Sequence, residues 1–409
     1  MGKARQMKTQ EPGGAAGYPA WRDRINDHLT SWVLPLGILL LLTSMMWAGE
    51  KRLFQQLFYV FLALPAFVLA LNCRDLAAAL LRSPVFIAFL CFAAYFSISI
   101  SWSGTDESAL SLLKRPLYVL CLFFAFAGVA FRRPDRLTAV LRLSSIIAVV
   151  AGSVQLALFL LSNDGARLAG YGALHNPLLT SHVFGFFLVL WIAYWIHHRR
   201  FFLPVAMVAV AVLGGLILAT GSRTPLLALS ATILWLGLMT GDRRGVIAFS
   251  ILVLAGGIIA VLWPEAIAQR GLSYRPQIWA EAIRQALEFP TFGHGYNHAL
   301  RIQVEGINYA FSDPHNMTLS VFYRGGALGL VFWAALFASA LFVSWKNRKD
   351  VMIFAFSATI VYGLVASMTE GGSFLSRPKE HWFLLWIPFA LLTAATLRRR
   401  ENEGTGGRC

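Results

Sequence analysis

Along this chain, apolar runs of about twenty residues alternate with short polar interruptions. Twelve such segments are predicted, near 31–48, 53–71, 84–101, 116–131, 137–161, 177–197, 201–219, 223–240, 245–263, 315–345, 351–369 and 381–397. About 20 residues rising 1.5 Å each cross a hydrocarbon core of roughly 30 Å. The pattern therefore predicts an all-α polytopic membrane protein, because a helical bundle keeps its backbone polar groups away from lipid. It divides the chain into a polar tail over 1–30, nine helices over 31–263, a long polar loop over 264–314, three helices over 315–397 and a basic tail over 398–409. The first tail has no cleavable signal pattern and is expected to carry at most a short interfacial helix.

The basic residues orient the bundle. Arg74 and Arg82, Arg132, Arg133 and Arg136, Arg199 and Arg200, Arg243 and Arg244, and Lys346, Arg348 and Lys349 all fall in one set of connections. Both chain ends belong to that set, so both termini are expected in the cytoplasm. The opposite set, 49–52, 102–115, 162–176, 220–222, 264–314 and 370–380, is expected to face outward. It collects Asp106, Glu107, Asp164, Asp313 and Glu370.

Composition agrees with this class. The chain is 57% hydrophobic and 13% charged, against about a quarter charged in soluble domains. The formal charge of +15 reads as a topology determinant attracted to anionic lipid. No soluble domain presents a basic face, which argues against nucleic acid as a partner. The four cysteines, Cys73, Cys91, Cys121 and Cys409, form no close-spaced pair, so neither a disulfide framework nor a zinc site is expected.

The long loop has structure of its own. From Pro276, Ile278, Ala282, Ile283, Ala286 and Leu287 recur at helical spacing and stop before Pro290, which predicts an amphipathic helix on the membrane face or against the bundle. Phe292-Gly293-His294-Gly295-Tyr296 follows, where close backbone approach is expected.

Chemistry is expected at the outward ends of helices. Ser312 or Asp313 is placed to cap the next helix, with Pro314 in its first turn. His315 would then sit at the positive end of the helix dipole, which disfavours imidazolium and leaves the ring able to accept a proton. Arg223 lies in the tight turn Thr220-Gly221-Ser222-Arg223, and a rigid arginine suits bidentate phosphate recognition. Arg275, between Tyr274 and Pro276, just precedes the amphipathic helix of the loop. Tyr274, His294, Arg301, Asp313 and Asn316 are further candidates for substrate contact. Arg324 falls within a membrane segment, where a charge costs about 2.5–3.5 kcal/mol on insertion scales. It is expected to face the interior, touching substrate or pairing with a carboxylate such as Glu370. The sequence contains no Asp-x-Asp pair, so a metal-held diphosphate is not expected and arginines would have to neutralise any phosphate.

Three local patterns, with the twelve-helix layout, resemble the O-antigen ligase and polymerase superfamily. They are Gly221-Ser222-Arg223, Arg275-Pro276 with Ile278-Trp279 leading to Phe292-Gly293-His294-Gly295-Tyr296, and His315-Asn316 with Leu319 and Gly326. Many members place an acidic residue where Arg324 stands, so no catalytic carboxylate carries over to that position. The resemblance implies a bacterial inner-membrane glycosyltransferase with a periplasmic active site. Its donor would be a polysaccharide on undecaprenyl diphosphate and its acceptor a sugar hydroxyl of lipid A–core. His315 would be the base of an inverting, metal-independent displacement without a cofactor, and Arg223 and Arg275 would hold the diphosphate. A polymerase with the same donor is the alternative. A transporter is the more distant one, since that class favours charges near the midplane.

Overall fold

The computed structural model describes residues 20–162, 167–198, 204–241, 250, 254, 274–304 and 308–402. Among the described residues it is helical, with one isolated β-bridge, Ile302 to Phe311. Among the described residues, nine helices are long and apolar enough to cross a membrane. We label the helices α1 (Trp21–Met46), α2 (Lys51–Asn72), α3 (Pro84–Trp102), α4 (Ala109–Arg132), α5 (Pro134–Ser162), α6 (Pro177–His198), α7 (Pro204–Ala219), α8 (Arg223–Thr240), α9 (Arg275–Ala286), α10 (Met317–Lys346), α11 (Val351–Ser367) and α12 (Glu380–Arg400). Of these, α7 and α11 are shorter apolar helices, and α9 is the amphipathic helix of the long loop. Eleven of the twelve expected segments are thus helical in the described residues; the ninth, 245–263, lies almost wholly outside them.

The first helix begins about ten residues earlier than its apolar run suggests. The expected interfacial helix is instead continuous with it, through a π-helical turn at Leu29–Val33 just before Pro35. The same device occurs at Tyr59–Ala63 before Pro65. Proline lacks an amide hydrogen and crowds the preceding turn, and a widened turn accommodates it without ending the helix.

Helix α12 is the central post, with its most apolar window entirely buried. It packs against α4 and α11. Lipid tails are as apolar as leucine, so close packing has to hold membrane helices together. Gly363 of α11 shows how tight it is: a Cβ there would lie 1.7 Å from the Leu384 carbonyl oxygen of α12. Phe89 stacks on Phe123 at 5.0 Å and meets Trp386 edge-on at 5.5 Å. By contrast α5 presents most of its surface outward, as a lipid-facing helix does.

Contacts gather the described loops at two ends; the basic pairs Arg199-Arg200 and Arg243-Arg244 lie outside the described residues. At one end Arg400 donates to the Arg82 carbonyl, and Arg132 and Arg133 pair with Asp23 and Asp27. At the other, Ala173 bonds Ala48, Leu168 bonds Ala219, Asn297 bonds Thr105 and Tyr296 bonds Leu375. The candidate residues lie at this second end.

Candidate functional site

Helix α9 forms as its spacing predicts, within a residue of the expected bounds. Its inner face, Ile278, Ala282 and Ala286, packs with Leu300, Ile302, Val304 and Tyr323 in a small core separate from the main one. The helix therefore lies against the bundle. Trp279 Nε1 donates to the Pro314 carbonyl at 3.1 Å, tying α9 to the segment before α10. Tyr274 ends the loop into α9 and is exposed, and Arg275 is its first residue.

The approach to α10 differs from the expectation. Asn316, not Ser312 or Asp313, caps the helix, its side chain accepting from the Leu319 amide at 3.1 Å. Pro314 and His315 precede the helix rather than forming its first turn. Asp313 Oδ1 accepts from the His315 amide at 2.7 Å, an Asx turn, and His315 has φ +50°. A non-glycine residue in the left-handed region is uncommon and costs conformational energy, and such residues cluster at functional sites. The imidazole thus stands beside the helix entrance, held by the turn and not by helical geometry.

Helix α10 is broken at Gly326, with φ +59° and ψ −161°, a conformation open in practice only to glycine. The break frees backbone groups inside the protein, and the loop after α9 satisfies them. The amides of His294 and Gly295 donate to the carbonyls of Tyr323 and Arg324, and those of Ala327 and Leu328 donate to Pro290 and Thr291. Tyr95 Oη adds a bond to the Gly325 carbonyl at 2.7 Å. A Cβ on Gly293 would lie 2.5 Å from the Gly325 amide nitrogen. This is the physical meaning of Phe292-Gly293-His294-Gly295-Tyr296: a backbone splice into a helix.

The same splice accounts for His294. Its ring stacks on Tyr323 at 4.3 Å, with Nε2 2.9 Å from the Gln285 carbonyl, so the histidine is committed to packing. Arg301 is exposed, and its carbonyl accepts from Gln285.

The residues that converge do so around the loop between α11 and α12. Glu370 Oε2 lies 3.7 Å from Arg275 Nη2. Burial raises the Glu370 carboxyl above its ordinary range; His315 and Arg275 oppose that rise and Asp313 adds to it. Arg275, Asp313, His315 and Glu370 therefore share one electrostatic neighbourhood, although they come from three segments. Thr224, next to Arg223, shares a hydrogen bond of 2.9 Å with Thr369, next to Glu370. Arg223 is exposed at the head of α8. Its turn is braced by Arg167, which donates to the Thr220 carbonyl at 2.7 Å and to Ser222 Oγ at 2.8 Å.

Arg324 turns inward as expected, but it does not take Glu370 as its partner. Its Nη1 donates to the Gly372 carbonyl at 2.7 Å and to Ser320 Oγ at 2.9 Å, and Ser320 donates to the same carbonyl. Arg324 thus fixes the backbone that carries Glu370. Arg167 is the site's unanticipated member, and Glu370 enters it as the partner of Arg275 and not of Arg324. Among the described residues, no group of three or more histidine, cysteine or acidic side chains could hold a metal.

Residues 208–334, which include Arg223, Arg275 and His315, match the family described as O-antigen ligase. The chain is also 46% identical to the O-antigen ligase of Pseudomonas aeruginosa over 373 residues, 91% of this chain and 92% of that protein. A likeness of that extent, on a bundle of membrane-crossing helices, shows that the chain belongs to the O-antigen ligase family.

Proposed function

We propose that this protein transfers a polysaccharide from undecaprenyl diphosphate to a sugar hydroxyl of lipid A–core, on the periplasmic face of the bacterial inner membrane. The observation that carries the reading is the meeting of Arg275, Asp313, His315 and Glu370, with the Arg223 turn joined to them through Thr224 and Thr369. Two arginines from separate segments suit a diphosphate, because guanidinium forks match its oxygens and stay charged.

His315 accepts the proton of the acceptor hydroxyl as that oxygen forms its bond to the donor's anomeric carbon. The bond from that carbon to the phosphate oxygen breaks with inversion. Undecaprenyl diphosphate leaves with the bonding pair, and Arg223 and Arg275 stabilise its charge. Asp313 fixes the His315 backbone. The exposed apolar side chains Ile283, Leu287, Phe289 and Phe292 suit α9 and its following turn to rest at the lipid surface, where both substrates are anchored.

The test is glycan transfer by purified protein in EDTA, with lipid-diphosphate-linked glycan and lipid A–core. Wild type should transfer, and His315→Ala should not. Chain growth on the carrier lipid without transfer to core would assign a polymerase instead. Loss of activity in EDTA, restored by a divalent cation, would overturn the metal-independent mechanism.

A further inference from the structure

Two buried histidines that the mechanism above does not use face each other at the same end of the bundle. His182 lies in the second turn of α6, and His381 at the start of α12. Their ring centroids are 6.2 Å apart, with the planes inclined at 56°. His182 is fully buried and His381 is 8% exposed. All four ring nitrogens are buried, and among the described residues none has a hydrogen-bond partner. A neutral imidazole carries one donor and one acceptor, and burying them unmatched is costly. Were packing the only requirement, two apolar side chains would serve better, since replacing both polar partners is close to neutral or stabilising. Two hydrogen bonds of about 2.9 Å through one water span such a gap, and the facing rings supply the polar partners that a buried water needs.

His381 is pressed against the loop that carries Glu370. A Cβ on Gly371 would lie 2.7 Å from its Nε2 and Cδ2, and one on Gly372 would lie 2.7 Å from Asp313 Oδ1. The ring and the Asp313 carboxylate thus each abut one of two consecutive glycines, and Glu370 beside them stands 3.7 Å from Arg275. His182 leads the other way. Thr180, two residues before it and also fully buried, accepts from the Gly170 amide at 2.9 Å. That bond fastens α6 to the segment in which Arg167 braces the Arg223 turn. The two histidines therefore stand where the support of Arg275 meets the support of Arg223.

Resting on the function proposed above, we propose that one water bound between His182 and His381 joins them into a positioning pair for the donor. The pair holds Arg275, through the 370–372 loop, at a fixed distance from Arg223, so that both guanidiniums meet one diphosphate.

The experiment is initial-rate kinetics on the full chain in nanodiscs, varying donor and acceptor separately. His182→Leu should raise the donor KM about five- to tenfold, the loss of one buried hydrogen bond, and leave the acceptor KM within about twofold. His182→Gln or His182→Asn, whichever presents its amide to the water, should recover most of that loss. The double variant His182→Leu with His381→Leu should melt no lower than either single variant, because both polar partners are gone. It should nonetheless keep the donor defect without enlarging it. A double variant with the wild-type donor KM would show that packing alone suffices, and equal rises in both KM values would make the histidines merely structural; either overturns the proposal. Should the leucine variants fail to fold, water-edited nitrogen spectra of histidine-labelled wild type and His182→Gln read the bridge directly. Buried imidazole signals fed by a bound water support it, and signals cut off from water overturn it. Binding of undecaprenyl diphosphate in the His315→Ala background separates this proposal from the transfer reading. Weaker binding with His182→Leu there supports the positioning role whatever the chemistry. Unchanged binding overturns it and leaves the chemistry standing.

Discussion

Glu370 Oε2 lies 3.7 Å from Arg275 Nη2, so the loop between the last two membrane helices holds the guanidinium that heads α9. At that distance the pair is an ion pair and not a hydrogen bond. Arg275 is 30% exposed, so the pair's net contribution to stability is small, at most about 1 kcal/mol. Its effect should appear in catalysis. Glu370→Gln is expected to melt within a few degrees of wild type, yet to lower kcat/KM about tenfold or more, because Arg275 loses its rest position. Combined with Arg275→Met, the two losses should not add. Additive losses would show that the two side chains act independently.

The raised Glu370 carboxyl carries a pH signature. Folding lifts it above the ordinary value of 4.5, chiefly through burial, so the folded state binds its proton more tightly than the unfolded state. The stability it contributes is full below about pH 4.5 and is lost as pH rises through the folded value. Going from pH 4 to pH 7, wild type should therefore lose stability relative to Glu370→Gln, as thermal melts across that range would show. A gap that closes with rising pH would contradict the burial argument.

Gly326 tolerates no side chain. A Cβ would lie 2.4 Å from the Thr291 carbonyl, and the backbone conformation alone costs an L-residue about 1–3 kcal/mol. Gly326→Ala should lower the melting temperature clearly and reduce the protein recovered folded from membranes. Ala327→Gly in the same helix should be much milder, since it costs only about 1 kcal/mol of helix propensity.

Arg324 acts on the site through backbone. Arg324→Met removes the donor from the Gly372 carbonyl and leaves Ser320 as its partner. Transfer is expected to fall about tenfold, from the loss of one charge-assisted bond. Arg324→Lys, which keeps a donor within reach, should retain most activity. Equal defects in the two variants would mean that the guanidinium does more than hold this carbonyl.

Much of the architecture was legible before any coordinates. Apolar spacing placed α9 to within a residue, and the described basic loops around Arg82, Arg132 and Arg133 gather at one end. What the pattern missed has local causes. A helix was expected to begin at Pro314 because proline suits a first turn, but the left-handed His315 moved the cap to Asn316, and no spacing rule registers a single backbone angle. The early start of α1 was hidden by its polar residues Asn26, Asp27 and His28. The partner of Arg275 stands 95 positions further on, and pairing over that separation leaves no periodic trace. The membrane position of Arg324 had suggested either substrate or a carboxylate such as Glu370; the fold gave that arginine the Gly372 carbonyl.

The splice at Gly326 also constrains how such a chain can diverge. Residues 290–295 complete the hydrogen bonding of a helix that begins more than twenty positions later, so the loop and α10 can be exchanged only together. A recombinant that inherits one without the other would bury four mismatched backbone groups where solvent cannot repair them. Chimaeras between related chains should therefore fold only when the backbone partners at 290–295 and 323–328 are exchanged as one unit.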